Sequence, residues 1–276
     1  MSIPELKRIS ARHNPDFKRF LAVRSRKDRD FVLLEGPKML AEARESKLRI
    51  EILAIDGSKA ARDLERETRG PCAVLHVTPA LMREISDVET SQGIVALARR
   101  PIFARAWLSN PRGFVVIFDR IQDPGNVGTL IRSAEAAGAS GVLLTEGCAD
   151  PFSPKALRAS AGSALRLPHV QDLSPRQALS CLPADTTVLL ARATPGAVSV
   201  FEATFKMPLA LALGSEGSGL DEEFEDAGSL ELRIPHARTV ESLNVAAAGS
   251  VLMFEIARRT GLLHLAASPS PDHARH

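Results

Sequence analysis

The chain has 276 residues, of which 45% are hydrophobic and 25% charged, with a formal net charge of +2. This composition is typical of a globular protein and excludes disordered and collagen-like classes. No apolar run reaches the roughly 18 to 20 residues that cross a bilayer, and the first ten residues are charged where a signal peptide is apolar, so we expect a cytoplasmic protein without membrane contact. The three cysteines form no CxxC pair and the histidines form no HExxH motif, so we expect no metal site.

The first thirty residues are strongly basic. They contain nine lysine and arginine residues but four acidic ones, and such a segment can follow a phosphate backbone. The alternative is a solvated basic helix face. Only 4% of residues are aromatic, which argues against base stacking. The candidate RNA-binding residues of this segment are Arg8, Arg12, Lys18, Arg19, Arg24 and Lys27.

Strands and helices alternate along the first third of the chain. Apolar patterns predict strands at 31–36, 50–55, 72–77 and 93–100, with helices at 37–46 and 79–85. Residues 1–100 are therefore interpreted as a basic lead segment and a small α/β domain. Residues 101–112 begin and end near prolines and show no clear period, which is typical of a linker.

A second series of strands follows the predicted linker. Apolar runs predict strands at 114–119, 141–146, 167–171, 187–192, 209–214 and 230–235, separated by helices at 127–138, 154–161, 174–181 and 242–259. This pattern predicts a doubly wound α/β domain with a parallel sheet over 113–262. We expect the tail 263–276 to be disordered.

The first of three unusual loops follows the strand at 114–119. Asp123, Pro124 and Gly125 form a tight-turn signal, and Asn126 can cap the next helix, so the loop offers backbone amides to a polar ligand. Arg132 lies six residues beyond Asn126, or about 600° around a helix, so the two do not share a face by period alone. A plain N-cap for Asn126 and a surface salt bridge for Arg132 are the simpler alternatives. Phosphate-loop and dinucleotide fingerprints are absent from the sequence.

The second and third loops follow the strands at 209–214 and 230–235. Glu216 stands among three glycines, which favours a close approach of backbone to a ligand, although a loop leading to a helix capped by Asp221 is an alternative. In the third loop, Ser242 or Glu241 is predicted to cap the helix whose first turn holds Asn244. The small residues at 246–249 permit close helix packing.

In this order and spacing, the three loops resemble the signature motifs of the SpoU/TrmH branch of the SPOUT RNA 2′-O-methyltransferases. The resemblance rests on Asn126, Gly128 and Arg132, on the GSEGSG sequence at 214–219, and on an Ile-Pro pair followed by SLNV at 242–245. It covers roughly residues 112–260. Residues 30–98 are similar to the substrate-binding domain that precedes many such catalytic domains, a fold related to ribosomal RNA-binding proteins.

The resemblance implies a homodimeric enzyme whose C-terminal domain forms a deep trefoil knot and binds S-adenosyl-L-methionine. It implies methyl transfer to a ribose 2′-hydroxyl of structured RNA, with rRNA favoured over tRNA as the substrate. The cofactor-binding residues implied are Leu213, Gly214, Glu216, Ile234, Leu243 and Asn244. The catalytic residues implied are Asn126, Arg132, Glu216, Ser242 and Asn244.

Two features of the motifs leave alternatives open. Arg132 is often named as the base in this family, but a guanidinium with a pKa above about 12 accepts protons poorly, so we expect it to hold a phosphate and to stabilise developing negative charge. The usual I-P-M-x-G pattern is replaced by Ile234 followed by Pro-His-Ala and Arg238. Arg238 is a candidate for RNA phosphate binding, or the change is a loop variant without functional meaning. We do not expect His236 to act as a base.

Two rival functions remain at this point. A catalytically inactive RNA-binding or ribosome-assembly module could share the fold, but it would have no need of polar residues in the pocket. A nucleotide-binding oxidoreductase or a kinase-like enzyme would need a phosphate fingerprint that this sequence lacks. The sequence therefore favours an active methyltransferase.

Overall fold

The computed structural model of the protein describes residues 6–9, 11–58, 72–109, 111–194, 196–237 and 242–263. The chain divides into two compact units. Residues up to Ile102 together with Asp150–Arg166 form the first, and Phe103–Ala149 with the residues from Leu167 onward form the second. Within the described ranges, no helix has both the length and the apolar character of a membrane span. Of the predicted tail at 263–276, residues 264–276 lie outside the described residues.

Strands and helices alternate along the described chain. The strands are β1 (Leu6–Ile9), β2 (Phe31–Glu35), β3 (Ile50–Ile55), β4 (Ala73–Val77), β5 (Ile94–Arg99), β6 (Val115–Asp119), β7 (Gly141–Thr145), β8 (His169–Leu173), β9 (Thr187–Ala191), β10 (Val198–Ser199), β11 (Leu209–Gly214) and β12 (Leu230–Arg233). The helices are α1 (Pro15–Arg24), α2 (Gly36–Glu45), α3 (Pro79–Ile85), α4 (Ala106–Ser109), α5 (Pro124–Ala136), α6 (Pro154–Ser160), α7 (Pro175–Ser180), α8 (Glu222–Ala227) and α9 (Val245–Arg259), with a short 3₁₀ helix at Ser163–Leu165. The α/β class predicted from the sequence is confirmed.

The first unit is built on a five-stranded sheet in the order β1-β4-β3-β5-β2. β5 runs antiparallel to β2 and β3, and the other pairs are parallel. The four strands predicted here match the structure to within one residue at each end, because each is a short apolar run buried in the core. β1 and α1 were not predicted. α1 begins after Asn14, whose side chain accepts hydrogen bonds from the backbone N–H groups of Asp16 and Phe17, and it buries Phe17 and Phe20.

The second unit contains a seven-stranded sheet in the order β10-β12-β9-β11-β6-β7-β8, and all of its strand pairs are parallel. The chain runs outward from β6 through β7 to β8 and then returns to β9 on the far side of β11. The strand order therefore reverses between β6 and β11. Ligands bind at such a switch point, outside the carboxyl ends of the strands. The loops after β6 and β11 contain the first two sequence motifs.

The structure differs from the predicted domain division at two places. The stretch 101–112, which we predicted to be a linker, contains α4, and Leu108 of that helix is buried in the core of the second unit. The segment Asp150–Arg166, which includes α6, belongs to the first unit. Neither feature follows from local composition, because each depends on which core the segment packs against.

Two predicted helix caps are wrong. α5 begins at Pro124, and its cap is Asp123, whose side chain accepts a hydrogen bond from the backbone N–H of Asn126 at 3.0 Å. α9 begins at Val245, and Asn244 rather than Ser242 or Glu241 caps it. Glu241 itself lies outside the described residues. The alternative considered for the second loop, a following helix capped by Asp221, is present as α8, where Asp221 Oδ1 accepts a hydrogen bond from the backbone N–H of Glu223. Because Asp123 caps α5, Asn126 lies inside the first turn of that helix, and its side chain is available to other groups.

Candidate active site

One residue from each of the three loops enters a single cluster of hydrogen bonds. The side-chain amide of Asn126 donates to Glu216 Oε1 at 3.1 Å, and that of Asn244 donates to the same oxygen at 2.9 Å. Asn244 Nδ2 also lies 3.2 Å from Asn126 Oδ1. Glu216 is 90 residues from Asn126 and 28 from Asn244 along the chain. The fold thus unites the three motifs around one carboxylate.

Asn244 connects this cluster to the start of the last helix. Its Oδ1 caps α9 by accepting from the backbone N–H groups of Ala246 and Ala247 at 3.0 and 3.3 Å. The backbone N–H of Val245 points to Glu216 Oε1 at 3.4 Å. Because an amide side chain has both a donor and an acceptor end, Asn244 can cap the helix and hold Glu216 at once. A serine or aspartate cap would lack the NH₂ group.

Gly214 brings the strand end and the loop after β11 into close contact. A Cβ added at this position would lie 2.3 Å from the backbone carbon of Gly219 and 2.5 Å from the backbone nitrogen of Leu220. Gly219 itself has a φ of +67°, in the left-handed region that favours glycine. A bridge between Ser215 and Gly219 closes the loop and presents Glu216 at its tip.

A crevice of about 210 Å³ opens beside this loop. Its walls come from the ends of β9, β11 and β12 and from the first turns of α9. Of the residues predicted to bind the cofactor, it is lined by Leu213, Gly214, Glu216, Ile234 and Leu243. Ser242, predicted as catalytic, also lines it, whereas Asn244 joins the site through its contact with Glu216. His236 and Arg192 line the same crevice, and sequence reasoning did not assign them to the cofactor.

Arg132 stands apart from this cluster. It lies on α5, where its side chain is exposed, and it has no hydrogen bond or ion pair within the described part of the chain. The surface salt bridge considered from the sequence is therefore not formed with the described residues. Arg238 lies outside the described residues.

The first unit holds the predicted RNA-binding residues of the lead segment. Arg8, Lys18 and Lys27 are exposed, and Arg12 donates to Glu84 at 2.7 Å. The hydrogen bond that Arg12 donates to the Glu84 carboxylate raises the pKa of Arg12 above its usual value. Arg24 donates to the backbone carbonyl of the same Glu84. Two of the predicted cations therefore share one acidic residue at the end of α3.

Arg19 joins a cation cluster that the sequence did not reveal. Its guanidinium lies 4.5 Å above the ring of Phe31, and Arg99 from β5 lies 4.8 Å from the same ring. Both arginines also contact Glu51. The pKa of Glu51 is lowered, mainly by the hydrogen bond that it accepts from Arg99. Arg99 is 80 positions beyond Arg19, so no local pattern could have joined them.

Arg120 is a further residue that sequence reasoning missed. It follows β6 directly and adopts a left-handed backbone with a φ of 53°. Its guanidinium contacts the fully buried Asp119 at 3.1 Å and Asp221 at 2.7 Å. Its position immediately after an apolar strand was the available signal.

Among the described residues, no group of three or more His, Cys, Asp or Glu side chains is placed to hold a metal ion.

A parallel sheet has a crevice at its switch point, and Glu216, held by Asn126 and Asn244, lies at the wall of that crevice. This arrangement defines an α/β protein with a ligand-binding site at the carboxyl ends of its strands. Residues 113–254 match the SpoU rRNA Methylase family, and residues 14–96 match the MRM3-like substrate binding domain. The chain belongs to the SpoU rRNA methylase family, as its motifs indicated.

The similarity to known proteins extends over nearly the whole chain. It is 32% identical to the 23S rRNA (guanosine(2553)-2′-O)-methyltransferase RlmP of Bacillus subtilis, covering 91% of this chain and 99% of that protein. It is 30% identical to the 23S rRNA (uridine(2479)-2′-O)-methyltransferase of Streptomyces viridochromogenes, covering 93% of each. The crystal structure of an AdoMet-bound rRNA methyltransferase from Sinorhizobium meliloti has a TM-score of 0.78 and 28% identity, covering 92% of this chain and 98% of that one.

Proposed function

We propose that this chain transfers a methyl group from S-adenosyl-L-methionine to a ribose 2′-hydroxyl of ribosomal RNA. The observation that carries the proposal is the convergence of Asn126, Glu216 and Asn244 beside the crevice at the sheet switch point. The relatives named above support it, because RlmP and the Streptomyces enzyme are named as 2′-O-methyltransferases of 23S rRNA. The methyltransferases from Sinorhizobium and Streptomyces bind AdoMet in structures that resemble this one.

The residues of the crevice fit this cofactor. Its lining is largely apolar, with Leu213, Leu232 and Leu252 among the side chains, which suits an adenosine group. Glu216 supplies a negative charge at the edge of the crevice, which suits a positively charged sulfonium. The close backbone approach at Gly214 leaves main-chain groups, rather than a side chain, at the wall.

When bound, the cofactor supplies a methyl group on a sulfonium that is already a good leaving group. The 2′-oxygen forms the new bond to carbon as the carbon–sulfur bond breaks, and the hydroxyl proton departs to solvent or a base. The chain therefore contributes mainly by holding the two partners in line. Glu216 is fixed for this role because three N–H groups donate to one of its oxygens.

Arg132 retains its proposed role on the RNA side of the reaction. Its exposed guanidinium, which has no partner among the residues that the structure describes, can bind a phosphate and stabilise negative charge on the attacking oxygen. The basic residues of the first unit are proposed to bind the RNA backbone, as is Arg238. We also retain the trefoil knot and the cytoplasmic location as proposals that follow from the family and from an rRNA substrate.

Labelled methyl transfer to ribosomal RNA from cells that lack this gene tests the function. We expect label in 2′-O-methylnucleosides after digestion of the RNA. The Arg132→Lys variant keeps the charge but loses the planar fork, so we expect it to lose most activity while binding S-adenosyl-L-methionine normally by calorimetry. Arg176→Lys, on the exposed face of α7, is the matched control and should behave as wild type. Absence of transfer by the wild-type protein would refute the proposed function.

We also propose a homodimer formed through α9. Val251 and Phe254 lie one turn apart on this helix and expose 40% and 41% of their surfaces. Two such apolar side chains on one face of the final helix favour contact with a second copy. Light scattering at micromolar concentration should give twice the chain mass, and Phe254→Glu should shift the protein toward monomer. A monomeric wild-type mass would contradict this.

A further inference from the structure

A second cavity lies next to the cofactor crevice in the second unit. It has a volume of about 440 Å³ and shares Ser215, Glu216 and Val245 with the crevice. Its other walls include Arg120 and Gln122 from the loop after β6. Methyl transfer requires donor and acceptor to be in contact, so a cavity that shares the Glu216 wall with the donor crevice is well placed for an acceptor.

The charges around this cavity favour an uncharged ligand group. Arg120 is the only lysine or arginine among the described residues that line it, and Asp119 and Asp221 already neutralise this cation. Asp123 and Glu216 add two carboxylates to the walls. This negative excess disfavours a phosphate group. It suits the base and ribose of a nucleotide, whose N–H and O–H groups donate hydrogen bonds.

The structure holds Arg120 firmly in an uncommon conformation. Its backbone is left-handed, with a φ of 53°, which is strained for a residue with a Cβ. The backbone N–H of Arg120 donates to Thr145 Oγ1 at 3.0 Å, and the Thr145 hydroxyl donates to Asp119 Oδ1 at 2.9 Å. The other oxygen of Asp119 accepts from the backbone N–H of Asp221 at 2.9 Å. About a third of the Arg120 side chain stays exposed, so it can present its remaining N–H groups to the cavity.

Gln122 offers complementary chemistry at the same cavity. Its side chain is exposed and has no hydrogen bond within the described ranges. A primary amide both donates and accepts, which matches the mixed donors and acceptors on the edge of a nucleobase. Gln122 and Arg120 are two residues apart in one short loop, so the Arg120 anchor also limits the positions available to Gln122.

Resting on the function proposed above, we propose that this second cavity holds the acceptor nucleoside and that Arg120 and Gln122 position its base. Arg120 is the rigid member of the pair and Gln122 the member that distinguishes one base from another. The ligand class is therefore a single nucleotide of RNA turned into the cavity, with its phosphates outside.

Two variants and one control test this assignment. Gln122→Ala removes an exposed side chain, and Arg120→Lys keeps the charge but loses the fork that joins Asp119 and Asp221. Arg176→Lys, exposed on α7, is the control. Calorimetry with S-adenosyl-L-methionine counts the binding-competent sites of each protein. Single-turnover methyl transfer is then measured at saturating ribosomal RNA from cells that lack this gene, and the product nucleosides are identified.

We expect both variants to bind the cofactor as wild type does, within about twofold, and to transfer methyl at least about tenfold more slowly per competent site. Gln122→Ala should also place methyl groups on nucleosides that the wild type leaves unmodified. A merely structural role for Arg120 would lower stability and cofactor binding but leave the rate per competent site unchanged.

The outcomes separate this assignment from the proposed function. If the wild type transfers methyl and Gln122→Ala does so at the wild-type rate and to the same nucleoside, the second cavity is not the acceptor site, and the proposed function stands. That result overturns the assignment even if Arg120→Lys fails to fold. If the wild type transfers no methyl to ribosomal RNA, the proposed function fails and this assignment fails with it.

Discussion

Replacing Gly214 by alanine tests whether the close approach at the end of β11 is required for cofactor binding. The new Cβ would lie 2.3 Å from the backbone carbon of Gly219 and 2.4 Å from its carbonyl oxygen. Carbon atoms pack at about 3.5 Å or more, so the loop must move by roughly 1 Å. Both neighbouring atoms belong to the main chain, which means that no side-chain rotation can relieve the overlap.

The displacement has consequences beyond the loop itself. Glu216 is two residues away, and its hydrogen bonds of 2.9 to 3.4 Å would not survive a shift of about 1 Å. We expect the free energy of unfolding to fall by about 1 to 3 kcal/mol, as for other overpacked sites. The affinity for S-adenosyl-L-methionine, measured by calorimetry, should fall by more than about tenfold, which is ~1.4 kcal/mol.

Gly217 in the same loop provides the matched control. A Cβ there meets nothing within 4 Å, and the residue lacks a left-handed φ. Gly217→Ala should therefore bind the cofactor as wild type does and should unfold at the same urea concentration. If Gly214→Ala binds as tightly as Gly217→Ala, the close approach is not required, and the reasoning from the Gly214 contact is refuted.

Two further variants address α9. The pKa of Glu255 is lowered from 4.5 to about 2, mainly by the hydrogen bond from Arg258. A lowered folded-state pKa stabilises the fold above pH 4.5, and this stabilisation is lost as the pH falls towards 2. Glu255→Gln should thus lower the free energy of urea unfolding at pH 7 by about 1 kcal/mol. This figure is smaller than the pKa change alone implies, because solvent screens the exposed Arg258. The difference from wild type should shrink below pH 4.5, and a constant difference would contradict this assignment. Gly249→Ala would place a Cβ 2.4 Å from the buried Leu130 side chain. The cost of overpacking, about 1 to 3 kcal/mol, should exceed the gain of about 1 kcal/mol in helix propensity, so a stabilised variant would show that Leu130 can move aside.

Strand positions could be predicted from the sequence because they depend on local burial. Strands β6 and β11 are almost continuous apolar runs, and both are buried in the structure nearly throughout. The helices α5 and α9 were also predicted, but their first residues were wrong by three. A helix start depends on which side chain reaches the free N–H groups, and Asp123 and Asn244 do so here. Local propensity does not distinguish these residues from neighbouring polar ones.

The chemical character of the three loops was determined by the sequence alone, because glycine spacing and polar residues after apolar strands are local features. The contacts among the loops were decided by the tertiary structure. Asn126 and Asn244 are 118 positions apart in the chain. Their side chains meet because β11 pairs in parallel with β6 and because α9 packs against α5. The same packing leaves Arg132 outside the cluster and joins Arg120 to Asp221 across 101 positions. No helical or strand period extends that far, so only the assembled sheet can bring these groups together.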